Sequence, residues 1–434
     1  MRMVRLAVLL SAGMSLPVVL LGDAMPGEEY ALRRQKVLEA MEEGVLLLRN
    51  SGTFGADGFQ GNQDFYYLTG LSQEGGALLL APGGVRFRSR EPGADYYDGK
   101  IYREILLLPE ASSFDLRWDG PKLAEAEARE ISGLETVLPL GKFPAILNAA
   151  LADASLLYFE APPAAIAGAA GDPDLSFLKN LRERFFWLEI RNAAVLVHPL
   201  RVVKSRLELD RSQRAVDLTG EGIREVLGQA RAGILESEIE GIIGRVFLGQ
   251  GARFSFPPIV GAGKNSTILH YRENSHRLGE GEVVVLDVGA RVEQYAADVS
   301  RTFPVSGTFS DRQAEIYRLV LAAQRAGIDA VRPGATFSEI HAASFRVIED
   351  AGYGDSFLHG TSHHLGLDVH DVGDLHAPLP AGAVITVEPG IYLQGEEIGV
   401  RIEDVVLVTE TGNQVLSDAI PRDIEAIESA MSRK

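Results

Sequence analysis

The run Glu282-Val283-Val284-Val285-Leu286-Asp287-Val288 is almost continuously apolar and carries a carboxylate at its end. Gln294 to Val305 follows as its strand partner, with a second carboxylate in Tyr295-Ala296-Ala297-Asp298-Val299. The arrangement returns near the end of the chain. Ala383 to Glu388 and Gly399 to Val408 make a similar pair. Glu388 closes Val384-Ile385-Thr386-Val387 directly before Pro389-Gly390, and Glu403 lies inside Val400-Arg401-Ile402-Glu403-Asp404-Val405-Val406. Apolar side chains are the expectation at such strand positions. An unpaired buried carboxylate costs several kcal/mol, so one found there normally has a cation partner. One such residue reads as a strand-end surface group; four in two strand pairs do not.

Helices flank both pairs. Ser205 to Glu208 forms a capping box that starts a helix running to about Ala230, and Ser237 to Gly249 reads as the next. Ser310 with Gln313 caps a third helix after the strand ending at Val305. Thr336 with Glu339 caps a fourth just past Pro333-Gly334, and it stops near Gly352. The C-terminal half is therefore two helix–hairpin blocks of similar order. A boundary is expected at residues 198–205, where His198-Pro199 breaks regular structure. Before it, Glu29 to Met41 reads as a helix, and Gly44 to Leu48 and Gly76 to Leu80 as strands. Asp64-Phe65-Tyr66-Tyr67-Leu68-Thr69-Gly70 reads as a strand-like run, and Pro82-Gly83-Gly84 as a turn. Strands and helices alternate to about residue 190, which gives an α/β N-terminal domain. The chain has 434 residues, too many for one ordinary core. The expected division is 28–197 and 198–430, α/β (α+β) in class.

Hydrophobic residues make up 46% and charged residues 24%, a normal globular composition. The formal net charge of −18 repels phosphate backbones and argues against a nucleic-acid partner. With no cysteine in the chain, thiolate zinc sites, disulfide frameworks and a cysteine nucleophile are all excluded. At the N-terminus Arg2 and Arg5 precede the uncharged run Leu6 to Gly22, and Gly22-Asp23-Ala24 offers small residues at cleavage positions. Residues 1–24 thus have the layout of a secretory signal peptide, and the expected location is periplasmic or secreted. The alternative is a cytoplasmic protein with an N-terminal apolar helix. No other segment is long and apolar enough to cross a bilayer.

Five of the nine histidines (His359, His363, His364, His370 and His376) fall within 18 positions, between the two carboxylate hairpins. A histidine with four carboxylates is a hard, oxygen-rich ligand set that suits Mn²⁺ or a similar ion. Two divalent cations would balance four carboxylates and polarise a shared water.

In combination and order, these runs resemble aminopeptidase P (Xaa-Pro aminopeptidase). The resemblance rests on Ile268-Leu269-His270-Tyr271, Leu286-Asp287-Val288-Gly289 and Ala297-Asp298-Val299-Ser300-Arg301-Thr302-Phe303-Pro304. It extends to His359 through Gly373, Thr386-Val387-Glu388-Pro389-Gly390-Ile391-Tyr392 and Gly399-Val400-Arg401-Ile402-Glu403-Asp404. Asp64 to Gly70 is similar to the N-terminal domain of that family. The resemblance implies a creatinase-like α/β N-terminal domain followed by a pita-bread catalytic domain, as in prolidase, methionine aminopeptidase and creatinase. It implies that Asp298 and Glu403 bridge two divalent cations, that Asp287 binds one of them, and that His363 and Glu388 complete the other. Mn²⁺ is the first expectation, with Co²⁺, Fe²⁺ or Zn²⁺ as alternatives. His270, His359 and His370 match active-site histidines that contact the substrate carbonyl, Arg401 an active-site arginine, and Glu388 a proton carrier to the leaving nitrogen. The implied substrates are peptides with proline second, and the implied assembly a homodimer or homotetramer.

Two departures concern the pocket. His364 stands where the family commonly has an aromatic residue, usually tryptophan, and the loop after Gly373, with His376, is short. Two other readings stay open: a prolidase acting on Xaa-Pro dipeptides, and a peptide-binding module without catalysis. A creatinase-like hydrolase fits less well, because that branch lacks this ligand set.

Overall fold

The computed structural model describes residues 25–55, 58–86, 89–91, 94–96, 100–112, 114–118, 120–160 and 173–432. The signal-peptide reading of residues 1–24 lies outside them.

The N-terminal half is built on one mixed sheet of six strands. In spatial order they are Glu189–Asn192, Leu156–Phe159, Val45–Arg49, Ala77–Val85, Tyr102–Leu108 and Val137–Pro139. Successive side chains of a strand point to opposite faces. Leu46 and Leu48 therefore join one core cluster with Tyr30 and Val37 of the helix Gly27–Ala40, while Val45 and Leu47 join another with Ile146, Leu151 and Leu181. Pro82-Gly83-Gly84 does not end the strand Ala77–Val85 as a turn would. It is absorbed within it, with a register shift between Leu80 and Val85 against Tyr102–Leu108.

Two readings are corrected here. Asp64 to Gly70 is not a strand but lies in the helix Gln63–Thr69 and its cap. Asn62 decides this: its side chain accepts the Phe65 backbone N–H at 2.6 Å, and Gly70 (φ 72°) closes the turn onto the Tyr66 carbonyl. A good N-cap with a left-handed glycine C-cap outweighs the strand preference of the aromatic run. The second correction is at His198-Pro199, where the helix Ala194–Val202 runs through the proline. The ring removes only the hydrogen bond to the carbonyl of Val195, a residue on the exposed side of the helix.

In the C-terminal half, two helix pairs accompany four small sheets. The pairs are Arg206–Gln229 with Glu236–Gly249 and Asp311–Ala330 with Phe337–Asp350. The Ser205, Ser310 and Thr336 capping boxes are all formed. Val283–Val288 pairs with Ile259–Ala262 on one side and Val299–Pro304 on the other; Val384–Val387 pairs with Asp404–Val408; Gly390–Leu393 pairs with Ile398–Arg401. Neither expected partner strand is continuous. Gln294 to Val305 breaks at Ala297-Asp298, and Gly399 to Val408 breaks at Ile402-Glu403. Each break carries a carboxylate.

The two halves meet through ion pairs. Arg201 joins Asp64 (2.7 Å) to Asp368 (2.8 Å) and Asp371 (2.5 Å), and Lys204 takes the second oxygen of Asp371 at 2.8 Å. The Asp371 side chain is 1% exposed. Burial alone would raise its carboxyl, but Lys204 and then Arg201 outweigh that and hold it at about 2. A folded-state value below the unfolded one stabilises at pH above roughly 4, and the contribution is lost as pH falls from about 4 to about 2. In thermal unfolding across this window, Asp371→Asn is expected to be less stable than the wild type by about 2 kcal/mol at neutral pH. That difference should shrink as pH falls through the window. A difference that does not change with pH would dismiss this charge as the source of stability.

Candidate metal centre

The strand breaks bring the carboxylates together. Asp287 faces Ser300 across the strand pair. Asp298 leaves its strand just before Val299, where the Ala297 N–H bonds the Ala290 carbonyl at 2.9 Å. This requires a glycine at 289, since a Cβ there would lie 1.7 Å from the Ala297 carbonyl oxygen. Glu388 follows Val387, its backbone N–H on the Thr361 carbonyl, and the Glu403 N–H reaches the Ser300 carbonyl from the second break.

Asp287, Asp298, Glu388 and Glu403 line one cavity of about 300 Å³ with His270, His359, His363, His370 and Arg401. All nine candidate residues therefore meet in one place. Ligand atoms of Asp298, His363 and Glu403 lie within 4.8 Å of one another. The His363 ring is already set for coordination. Its Nδ1 is 3.0 Å from the His364 carbonyl, which can only accept, so Nδ1 carries a proton and Nε2 is the atom turned toward the carboxylates for coordination. Nε2 stands 3.5 Å from both Asp298 and Glu388.

The electrostatics demand a cation. Burial pushes the carboxyls of Asp298 and Glu403 well above the usual range, and the neighbouring carboxylates push them further. Burial raises Glu388 to about 7, even though His363 and Arg401 pull it down. Arg401 spends its charge on Asp287 (Nη2–Oδ2, 2.7 Å), with Nε on the Ser300 hydroxyl and Nη1 on the Tyr392 hydroxyl. The Ser300 hydroxyl donates in turn to Glu403 Oε2 at 3.0 Å. Two buried carboxylate oxygens of the cavity are left without a donor, Asp287 Oδ1 and Glu403 Oε1. Orphaned carboxylate oxygens within a cluster of four carboxylates fit divalent cations bound by hard ligands.

The other histidines differ among themselves. His359 is fastened at both ring nitrogens: Nδ1 donates to the Gly360 carbonyl and Nε2 accepts from the Tyr392 hydroxyl, each at 2.8 Å. Burial first, then Arg401, lowers its imidazole to about 4, so it stays neutral at physiological pH. His370 is more exposed and stands 4.3 Å from the His363 ring, centre to centre. His364 is a core group, perpendicular to the Phe337 ring at 5.0 Å, and His376 is exposed in its loop. A second trio able to hold an ion, Asp64, Glu160 and His198, lies at the seam between the halves. There Asp64 Oδ1 is already paired with the Arg201 guanidinium at 2.7 Å, and the His198 ring lies 3.2 Å from Oδ2.

Tyr392 and Ser300 join the site without having been singled out in the sequence. Tyr392 faces Gly399 in the hairpin, two positions from Arg401, so only the strand register places its hydroxyl.

Residues 210–410 match the model of metallopeptidase family M24, and residues 30–158 that of the aminopeptidase P N-terminal domain. The chain belongs to the aminopeptidase P group of the M24 metallopeptidases. It is 32% identical to the Xaa-Pro aminopeptidase of Haemophilus influenzae, an alignment covering 94% of this chain and 98% of that one. Among solved structures it resembles Pseudomonas aeruginosa aminopeptidase PepP (TM-score 0.82, 28% identity, covering 94% of this chain and 98% of that one). It also resembles Escherichia coli aminopeptidase P with the inhibitor Pro-Leu (TM-score 0.80, 30% identity, covering 94% and 99%). The creatinase-like and pita-bread halves expected from the motifs are therefore those of this group.

Proposed function

We propose that this aminopeptidase P relative is a metal-dependent exopeptidase that releases the first residue of peptides with proline in second place. The observation that carries the reading is the pair of orphaned carboxylate oxygens, Asp287 Oδ1 and Glu403 Oε1, in a cavity lined by four carboxylates and four histidines. The relatives named Xaa-Pro aminopeptidase and aminopeptidase P support the substrate class.

Asp298 and Glu403 would be shared between two divalent cations, with Asp287 on one and His363 and Glu388 on the other. The oxygen-rich set favours Mn²⁺. Divalent cations bound there supply Lewis acidity and bring the pKa of water toward neutrality. The protein's own groups do the rest. Glu388, on the cavity wall, takes the proton from the attacking water and delivers it to the proline nitrogen as the C–N bond breaks. His370 and His270 face the cavity and polarise the scissile carbonyl. Arg401 keeps Asp287 in place, and Tyr392 links Arg401 to His359. We further propose a homodimer or homotetramer by kinship, and export by the N-terminal segment.

The test uses matched peptides Xaa-Pro, Xaa-Pro-Yaa and Xaa-Ala-Yaa with Mn²⁺-loaded protein. Release of the first residue from Xaa-Pro-Yaa, abolished by chelator and restored by Mn²⁺, is expected. Cleavage of the dipeptide alone would make the protein a prolidase, and no cleavage at all a binding module.

A further inference from the structure

We infer that Arg201 is a positioning residue for His370, clamping both ends of the loop 368–371 and tying that loop to the N-terminal half through Asp64. The inference rests on the peptidase reading only in giving His370 a task.

The His370 imidazole needs an external restraint. It is exposed, and among the described residues no hydrogen bond reaches its ring; its neighbour is the His363 ring. Its placement therefore depends on where its backbone is held and on its contact with the His363 ring. That backbone belongs to a small closed loop, in which the Asp371 N–H bonds the His364 carbonyl at 2.9 Å and the Gly366 N–H bonds the Asp368 carbonyl at 3.1 Å.

Arg201 closes the loop from outside. A single nitrogen, Nη2, binds Asp368 Oδ2 at 2.8 Å and Asp371 Oδ1 at 2.5 Å, so the residues on both sides of His370 are drawn to one point. Nη1 is fixed by Asp64 Oδ1 at 2.7 Å, and Asp64 is fully buried on the helix Gln63–Thr69. Lys204 holds the other oxygen of Asp371 and also donates to the Arg201 carbonyl. The His370 side of the cavity is thus anchored on a residue from the other half of the chain. A guanidinium can serve three carboxylates in fixed directions; an ammonium on a flexible stem cannot.

The test is a double-mutant cycle on the Mn²⁺-loaded protein. Arg201→Lys keeps the charge and loses the fork. It is expected to lower kcat on Xaa-Pro-Yaa about tenfold with bound metal unchanged, a loss in the range that misplacement of a reacting group produces. In the His370→Ala background the same change should cost less than about twofold, because coupled sites are not additive. Asp368→Asn, at a half-exposed position that threatens folding less, should show a smaller loss with the same dependence on His370. Equal losses in both backgrounds, or no loss in either, overturn the inference. Hydrogen exchange at Val369 to Val372 gives a readout without catalysis, and Arg201→Lys should accelerate it at least about tenfold. Unchanged exchange overturns the clamp whatever the activity. Accelerated exchange in a protein that cleaves no Xaa-Pro peptide upholds the clamp and removes the peptidase reading.

Discussion

Asp298→Asn is expected to lower kcat on Xaa-Pro-Yaa peptides by about 10³-fold, the rate equivalent of the several kcal/mol that Lewis-acid stabilisation supplies. The substitution keeps the shape and removes one of four carboxylates around the cavity. Asp298 is 6% exposed, and Asp287 and Glu388 both raise its carboxyl. The same crowding gives a second, opposite effect. Without cations, a buried carboxylate among like charges destabilises the fold, so the neutral amide should raise the melting temperature of chelated protein by the equivalent of about 1–3 kcal/mol. With Mn²⁺ the order should reverse, because the wild type gains binding energy that the variant has lost. Elemental analysis for bound metal and thermal scans with and without chelator separate the two effects. A variant with full metal content and wild-type kcat would remove Asp298 from the ligand set.

Why this site could be read in the sequence is a matter of cost. Carboxylates in near-continuous apolar strands are too expensive to be accidental, and Asp287, Asp298, Glu388 and Glu403 do converge on one cavity. The strand breaks at Ala297-Asp298 and Ile402-Glu403 were not legible, because a local pattern of valines and alanines does not say where a ladder changes partner. The capping boxes were legible because their signal is complete within four residues. The helix Gln63–Thr69 was missed because its deciding residue, Asn62, lies just outside an aromatic run that reads as strand. The seam was invisible for a different reason. Arg201 meets Asp64 across 137 positions and Asp371 across 170, and no local signal pairs charges over such distances.

Asp404→Ala should cost about 3–5 kcal/mol of unfolding free energy, the penalty for leaving a buried cation without its partner. Asp404 sits beside Glu403, yet it faces the opposite way, into the core. It is fully buried and accepts from Arg301 Nη2 (2.7 Å), Ser417 Oγ (2.6 Å), Gln324 Nε2 (2.5 Å) and Arg422 Nη1 (2.5 Å). Burial pushes its carboxyl up, but Arg301 and Arg422 prevail and hold it below its ordinary value. Arg301 is itself fully buried, and it also donates to the carbonyls of Ser300, Glu403 and Pro421. Those bonds connect the two strand breaks behind the metal centre. Removing Asp404 therefore strands a guanidinium in the core and loosens the backbone that carries Ser300 and Glu403. Asp404→Asn retains the volume and some of the hydrogen bonds, so it should cost less. Scanning calorimetry of the two variants, with Mn²⁺ titrations beside it, should rank them Ala below Asn below wild type in both stability and metal affinity. A loss under about 1 kcal/mol for the alanine variant would mean that Arg301 finds another partner, and that this network does not hold the second strand break in place.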